Sequence, residues 1–462
     1  MPVSNRHWPK CAPNSTSCVS KQGSRFETAA ERYPALRPFQ SRNFRIYYIG
    51  QFIAVLGNWL QNIAMSWLVY RLSDSALALG VTAFAQQVPT LLLAPFVGVL
   101  ADRINRRKLL IITQSLGLAQ AVAITALTFT GHVAVWHIIV LSLWIGVVNA
   151  FETPTRQAFL LELLLERRHL PNAIALQSFL MNTTRMVGPS IAGLLLAWAG
   201  EGVCFAINAV CYLAIVAAYR FIRPPPRQIV TDGQSWRDSL IDGFRYAFGD
   251  PVNRRLILFL GGMGFLSSPW QSLMPVVAKE VMGGDSRTLG LLIGAIGAGA
   301  IFATVYLASR RTVRGIEGVM VVTAFVAALS FIGFSFVSHI APASLLLALF
   351  GFGLIATVSA GNSILQTIVD DAYRGRIVSV YVMTFLGSMP LGNLLGGFCA
   401  HALGAPWALH LFAFGLLALA AWFLAGYRPW RTQLRERFNA RGIVRPPPTG
   451  PHPRVDQSPP DR

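Results

Sequence analysis

Of the 39 Lys and Arg residues in this chain, Arg185 alone stands deep inside a long apolar run. A guanidinium in such a place can attract an anion or a carbonyl-rich molecule, because its planar fork of donors matches carboxylate geometry. Glu152, toward the end of another apolar run, is the acid best placed to take up and release a proton in the same region. The other polar candidates in such runs are uncharged: Gln61 and Asn62, Gln86 and Gln87, and Trp270 with Gln271. Amides and an indole bind molecules rather than cleave them, and each can equally pair with a neighbouring helix. Other chemistry has no carrier. There is no Walker lysine motif, no nucleophile elbow and no metal-ligand spacing; His132, His137, His401 and His410 are scattered, and the five cysteines form no framework. The residues describe a binding protein without cofactor or metal, not an enzyme.

A basic stretch separates two of the apolar runs: Gly98-Val-Leu-Ala-Asp102-Arg103-Ile-Asn-Arg106-Arg107. At the end of an apolar helix, Asp102 would sit near the positive N-terminus of a facing helix, and Arg103, Arg106 and Arg107 would pair with carboxylates or helix C-termini. Gly98, Asp102, Arg103, Arg106 and Arg107 together would form a gate that latches the parts on either side.

The elements that must position these residues are membrane helices. The chain is 53% hydrophobic and only 13% charged, where a soluble domain carries about 25% charge. Twelve segments are long and apolar enough to cross a bilayer, approximately 46–70, 78–101, 109–130, 134–153, 173–198, 203–222, 254–276, 288–309, 317–337, 342–362, 376–401 and 405–427. Arg185 lies about 22 Å of helix from the Gly200 end of its run, near mid-span. The net charge of +19 needs no nucleic-acid partner. With both termini placed in the cytoplasm, 35 of the 38 basic residues outside the spans fall on that side, as the positive-inside rule requires; some would touch anionic lipid.

The organisation expected is a mostly disordered N-terminal tail over 1–40, a six-helix bundle over 41–222, a cytoplasmic linker over 223–253, a second six-helix bundle over 254–428 and a disordered tail over 429–462. Within the linker, 235–248 carries apolar residues at helical spacing, as an amphipathic helix on the membrane surface would. The two halves look related. A shift of 204 residues lays Gly188, Gly193 and Gly200 on Gly392, Gly397 and Gly404; a shift of 210 lays Leu79 and Gly80 on Leu289 and Gly290. Gly188, Pro189, Gly193, Gly392 and Gly397 are the expected sites of close helix packing.

The Gly98–Arg107 stretch resembles the signature that follows the second helix in major facilitator superfamily transporters. Asn149-Ala-Phe-Glu-Thr-Pro-Thr-Arg-Gln-Ala-Phe-Leu160, Pro171-Asn-Ala-Ile-Ala-Leu-Gln177, Arg185-Met-Val-Gly-Pro-Ser-Ile-Ala-Gly193 and Arg374-Gly-Arg-Ile-Val-Ser-Val-Tyr381 with Pro390-Leu-Gly392 extend the likeness over roughly 35–428. They are similar to the branch containing enterobactin (siderophore) exporters and macrolide efflux proteins. The resemblance implies an all-α fold of twelve transmembrane helices in two pseudo-symmetric bundles. It further implies a monomer in a bacterial inner membrane that exports a small organic molecule, such as a siderophore or macrolide, by proton-coupled alternating access. A nutrient importer of the same fold and a non-transporting sensor or scaffold are the alternatives. Gly188-Pro189 with Gly193 only loosely resembles the fifth-helix motif of proton-coupled drug antiporters, since three residues intervene where two are usual.

Overall fold

The computed structural model describes residues 34–164, 166, 169–223, 236–310, 315–370 and 373–440. A short 3-10 helix, Pro34–Gln40, leads into fourteen α-helices: α1 Arg42–Ser73, α2 Ala76–Arg103, α3 Arg106–Phe129, α4 Val135–Leu160, α5 Leu170–Phe221, α6 Trp236–Gly249, α7 Pro251–Ser267, α8 Pro269–Val276, α9 Ser286–Ser309, α10 Ile316–Ser335, α11 Ile340–Ile368, α12 Arg374–Leu403, α13 Ala405–Ala425 and α14 Tyr427–Ala440. An apolar chain in lipid must satisfy its backbone internally, and the helix does so within one segment. Polar caps mark several entries. Ser41, Asn105 and Asp250 each accept from a backbone N–H three residues on, at 3.3, 3.2 and 2.9 Å.

Ten helices are long and apolar enough to cross a membrane. Two further features bring the crossings to twelve. The 52-residue α5 reverses at Gly200, whose φ of 78° and ψ of 175° are not helical. Its contacts with α1 prove the reversal. Along the first leg, 170–199, Leu176 meets Tyr48 and Gly188 meets Trp59; along the second, 201–221, Cys211 meets Gly57 and Ala218 meets Gly50. The two legs run in opposite directions along one helix. Secondly, α7 and α8 continue through Ser268, which keeps helical angles, into a π-helical turn Val277–Val281, making one bent rod. Gly404, between α12 and α13, has φ 90° and ψ 151°. It thus matches Gly200 in the register read from the sequence, and glycine is the residue for which positive φ carries no Cβ penalty.

In the first half α1 packs between the legs of α5, α2 lies on α4, and α3 lies on α4 and α5; in the second, α11 packs between α9 and α10, while α12 lies on α7 and α10 on α13. The halves meet where α5 packs on α9 and α12 on α2. Large apolar side chains face outward, as lipid contact allows: Trp198, Phe302 and Trp407 are among the most exposed.

Two expectations need correction. Helix α2 continues through the basic stretch to Arg103 and α3 starts at Arg106, so the expected loop shrinks to Ile104 and Asn105. Nothing between Gly98 and Arg103 interrupts a helix. Residues 429–440 are helical rather than disordered: Trp430, Leu434 and Phe438, one turn apart, are buried, and Trp430 Nε1 donates to Val252 O at 3.1 Å. Their periodicity anchors a segment whose average composition is polar. The tail beyond 440 and residues 1–33 lie outside the described residues.

Candidate functional site

Between the halves lies a cavity of about 320 Å³, lined by Asn62, Gln86, Gln87, Asn149 and Gln271 on its polar side and by Leu91, Val382, Met383, Leu386 and Met389 on its apolar side. A smaller chamber of about 70 Å³ adjoins it around Trp59, Trp270 and Ser272. Gln86 Nε2 donates to Asn62 Oδ1 at 3.0 Å, joining α2 to α1 across the cavity wall. Among the described residues, no charged side chain lines either space. Five of the six uncharged candidates therefore meet here: Asn62, Gln86, Gln87, Trp270 and Gln271.

Gln61 does not. A step of one residue turns a helix by about 100°, and Gln61 points into the first bundle instead. It donates to Gln120 Oε1 at 3.0 Å and accepts from Asn208 Nδ2 at 2.6 Å, so it belongs to a buried chain of amides. Asn149 was the missed member. Its signal was an amide one turn before Glu152 on a helix that supplies a cavity wall.

Arg185 stands on the first leg of α5. Val187, Leu194 and Trp198 mark the lipid face of that leg, with exposures of 36%, 59% and 84%. Arg185 lies about 140–180° around the helix from them, at 100° per residue, and so faces the seam between the halves. It is exposed, and among the described residues no hydrogen bond or ion pair holds its guanidinium. Its backbone carbonyl lies against Gly297 of α9. Among the described residues, Arg185 does not pair with Glu152. Glu152 accepts from Arg156 Nε at 2.7 Å, one turn along α4, and from Gln114 Nε2 at 3.5 Å. The nearer arginine on its own helix takes the carboxylate, and Glu152 is buried inside the first bundle rather than in the cavity.

The seam is closed at one end by glycines. A Cβ on Gly290 would come within 2.9 Å of Gly193 Cα, and one on Gly397 within 2.9 Å of Gly80 Cα. The registers of 204 and 210 residues map the first contact onto the second, so both halves use one device twice. Gly188 packs on the Trp59 ring and Gly392 on the backbone of Phe265. On the inner face of α5, Pro189, Ala192 and Gly193 are buried whereas Arg185 and Ser178 are exposed, so the seam opens toward the end where α2 joins α3. At the opposite end, an ion pair and a hydrogen bond to a carboxylate bridge the halves. Lys279 Nζ donates to Asp74 Oδ1 at 2.8 Å, and Tyr70 donates to Glu280. Lys279 and Glu280 are presented by the π-helical turn; Asp74 is the one non-glycine residue with positive φ, 42°, among those described.

Arg106 and Arg107 at the α2–α3 junction brace the first half through the partners described. Arg106 donates to Ala158 O at 3.2 Å and to Glu162 Oε1 at 3.0 Å; Arg107 donates to the carbonyls of Tyr219 and Arg220 at 2.8 and 2.6 Å. A carboxylate and a helix C-terminus are the expected partner types, but both lie in the same half of the chain. Gly98, Asp102 and Arg103 fall in the last turns of α2, and their side chains lie outside the described residues. The second half has its own brace on α14: Arg431 binds Glu317 at 3.3 Å, and Arg437 binds Asp250. Helix α6 packs beneath α12, where Tyr246 stacks on Tyr373 at 4.6 Å and Arg376 pairs with Asp242 at 3.4 Å.

The sequence profile described as transmembrane secretion effector matches residues 33–438. A staphyloferrin A transporter of Staphylococcus aureus is 26% identical over 395 residues, covering 85% of this chain and 98% of its own. The multidrug efflux pump Tap of Mycolicibacterium fortuitum is 24% identical over 361 residues, covering 75% and 87%. Among solved structures, the nucleoside transporter NupG superposes with a TM-score of 0.66 at 14% identity, covering 84% of this chain and 99% of that one. At that identity it speaks to the fold alone.

Proposed function

The chain belongs to the transmembrane secretion effector family of the major facilitator superfamily, and we propose that within it this protein exports a small organic molecule across a bacterial inner membrane. It is a multi-pass transporter, not an enzyme. The observation that carries the export reading is the amide-lined cavity of about 320 Å³ lying on the seam between two halves, sealed toward one end and open toward the other. Alternating access needs such a site and two seals that are never open together.

The α2–α3 end is assigned to the cytoplasm, with both termini on that side, because the basic residues concentrate there. The halves 41–222 and 254–428 rock about the cavity, joined by the 223–253 linker. A substrate enters from the cytoplasm and hydrogen-bonds the amides while its apolar part rests on Val382, Met383 and Leu386. It leaves when the glycine seam and the two bridges part. The relatives' names, a siderophore transporter and a drug pump, support a siderophore or drug-like compound and favour export over nutrient import. A sensor would have no need of a cavity that opens to one side.

Protons are the proposed coupling ion, with Glu152 the proposed carrier. Protonating its carboxylate would release Arg156 and disturb the floor beneath Asn149. A single monomer contains the whole pathway. Uptake into everted membrane vesicles under an inside-acid gradient tests the proposal, with staphyloferrin A and a macrolide as trial substrates. Accumulation that collapses when the gradient is dissipated is expected. Uptake only in right-side-out vesicles would identify an importer instead.

A further inference from the structure

We propose that the transport site selects organic anions, with Arg185 as the residue that sets its charge preference; this rests on the transport reading above and names its substrate class. Three observations converge. The first is the charge inventory of the cavity. Its polar wall consists of uncharged amides and hydroxyls, and no described carboxylate lines it. The nearest acid below that wall, Glu152 one turn beyond Asn149, is already held by Arg156 at 2.7 Å. A cation entering here would find no counter-charge.

The second is the position of Arg185. It faces the seam, away from the lipid-facing residues of its helix, and its guanidinium has no partner among the described residues. The two arginines described at the α2–α3 junction, Arg106 and Arg107, are by contrast spent on a carboxylate and a helix end. An unspent guanidinium beside the opening of the seam supplies one net positive charge to the path, and low-dielectric walls extend its reach.

The third is symmetry. The 204-residue register that pairs Gly193 with Gly397 places Met389 opposite Arg185, and Met389 lines the cavity. Equivalent positions of the two halves therefore carry a charge on α5, where it packs on α9, and a thioether on α12, where it packs on α2. That asymmetry suits an amphiphilic anion: a carboxylate toward α5 and an apolar body toward α12. The guanidinium fork can bind such a carboxylate through two parallel hydrogen bonds, which an ammonium cannot reproduce.

The charge preference can be read without knowing the substrate. In full-length protein whose native cysteines are replaced by serine, Met389→Cys gives a thiol in the cavity wall. Its reaction rates with anionic sulfonatoethyl and cationic trimethylammonioethyl methanethiosulfonate are measured in the same purified sample. Their ratio is normalised to 2-mercaptoethanol. The normalised ratio should favour the anion, fall about tenfold with Arg185→Ala and largely recover with Arg185→Lys, as removal and return of a nearby charge require. An equal ratio in all three proteins would overturn the proposal, as would a cation preference with Arg185 intact. The result is independent of transport. An Arg185-dependent ratio in a protein that moves nothing in vesicles would refute the transport reading and leave the anion site standing.

Discussion

Lys279 on the π-helical turn after α8 donates to Asp74 at the end of α1, 2.8 Å away, and so ties the second half of the chain to the first. The side chains are 45% and 72% exposed, so this pair is worth about 0–1 kcal/mol. Its neighbour carries more. Tyr70 is buried and donates to Glu280 across the same seam, and loss of a bond to a charged acceptor costs about 1.5–3 kcal/mol.

The two pairs should therefore respond differently to mutation. Tyr70→Phe should raise labelling of Ser272→Cys by an impermeant maleimide from the periplasmic face several-fold, because it weakens the seal. Lys279→Ala should change that labelling less than twofold. Equal effects would show that the exposed ion pair, not the buried hydroxyl, holds the seam.

Gly290→Val and Gly80→Val should act alike, because their contacts are copies of each other. An added Cβ at either would press on a glycine backbone of the other half, at 2.9 Å from Gly193 Cα or 3.0 Å from Gly397 Cα. Both variants should insert normally, lose transport and rest with the periplasmic end open, seen as increased maleimide labelling at Ser272→Cys. Wild-type transport by either would remove the glycine seam from the mechanism.

Much of this was legible in the chain. The registers of 204 and 210 residues, read from glycine spacing, relate the two halves to each other, but that Gly193 meets Gly290 and Gly80 meets Gly397 came only from the packing. The fold was legible because lipid restricts it: long unbroken apolar runs satisfy their backbone within one segment only as helices. Residue faces were harder. Gln61 and Asn62 look alike in sequence, yet one is committed to Gln120 and Asn208 and the other to the cavity. The Tyr70–Glu280 pair was invisible, because Glu280 reads as a solvated loop charge until the π-helical turn aims it at α1. Arg156 reads as a loop charge in the sequence, yet α4 runs on through it and places it one turn from Glu152, where it takes the carboxylate.

Glu152→Gln leaves Arg156 without its carboxylate inside the first bundle. Breaking such a buried pair costs about 3–5 kcal/mol, so a lower melting temperature is expected. Glu152→Gln with Arg156→Met should recover most of it. If Glu152 is the coupling acid, the double variant should still exchange substrate but fail to accumulate it under a pH gradient. Gradient-driven accumulation by the double variant would place the carrier elsewhere.

The α14 brace should stabilise the second half without touching transport. Arg437→Ala strips Asp250, the N-cap of α7, of its cationic partner, and should lower the melting temperature by a few degrees while vesicle uptake per folded molecule stays unchanged. Loss of uptake at equal folded protein would assign α14 a part in the transport cycle.

Alternating access itself is tested by tying the seam shut. Asp74→Cys with Lys279→Cys, bridged by a short bifunctional methanethiosulfonate, should stop uptake into everted vesicles, while the cavity thiol of Met389→Cys in the same protein still reacts from the cytoplasmic side. Reduction of the bridge should restore uptake. Uptake that continues at the unbridged rate when the two halves are fully crosslinked would contradict a cycle in which this end of the seam must open.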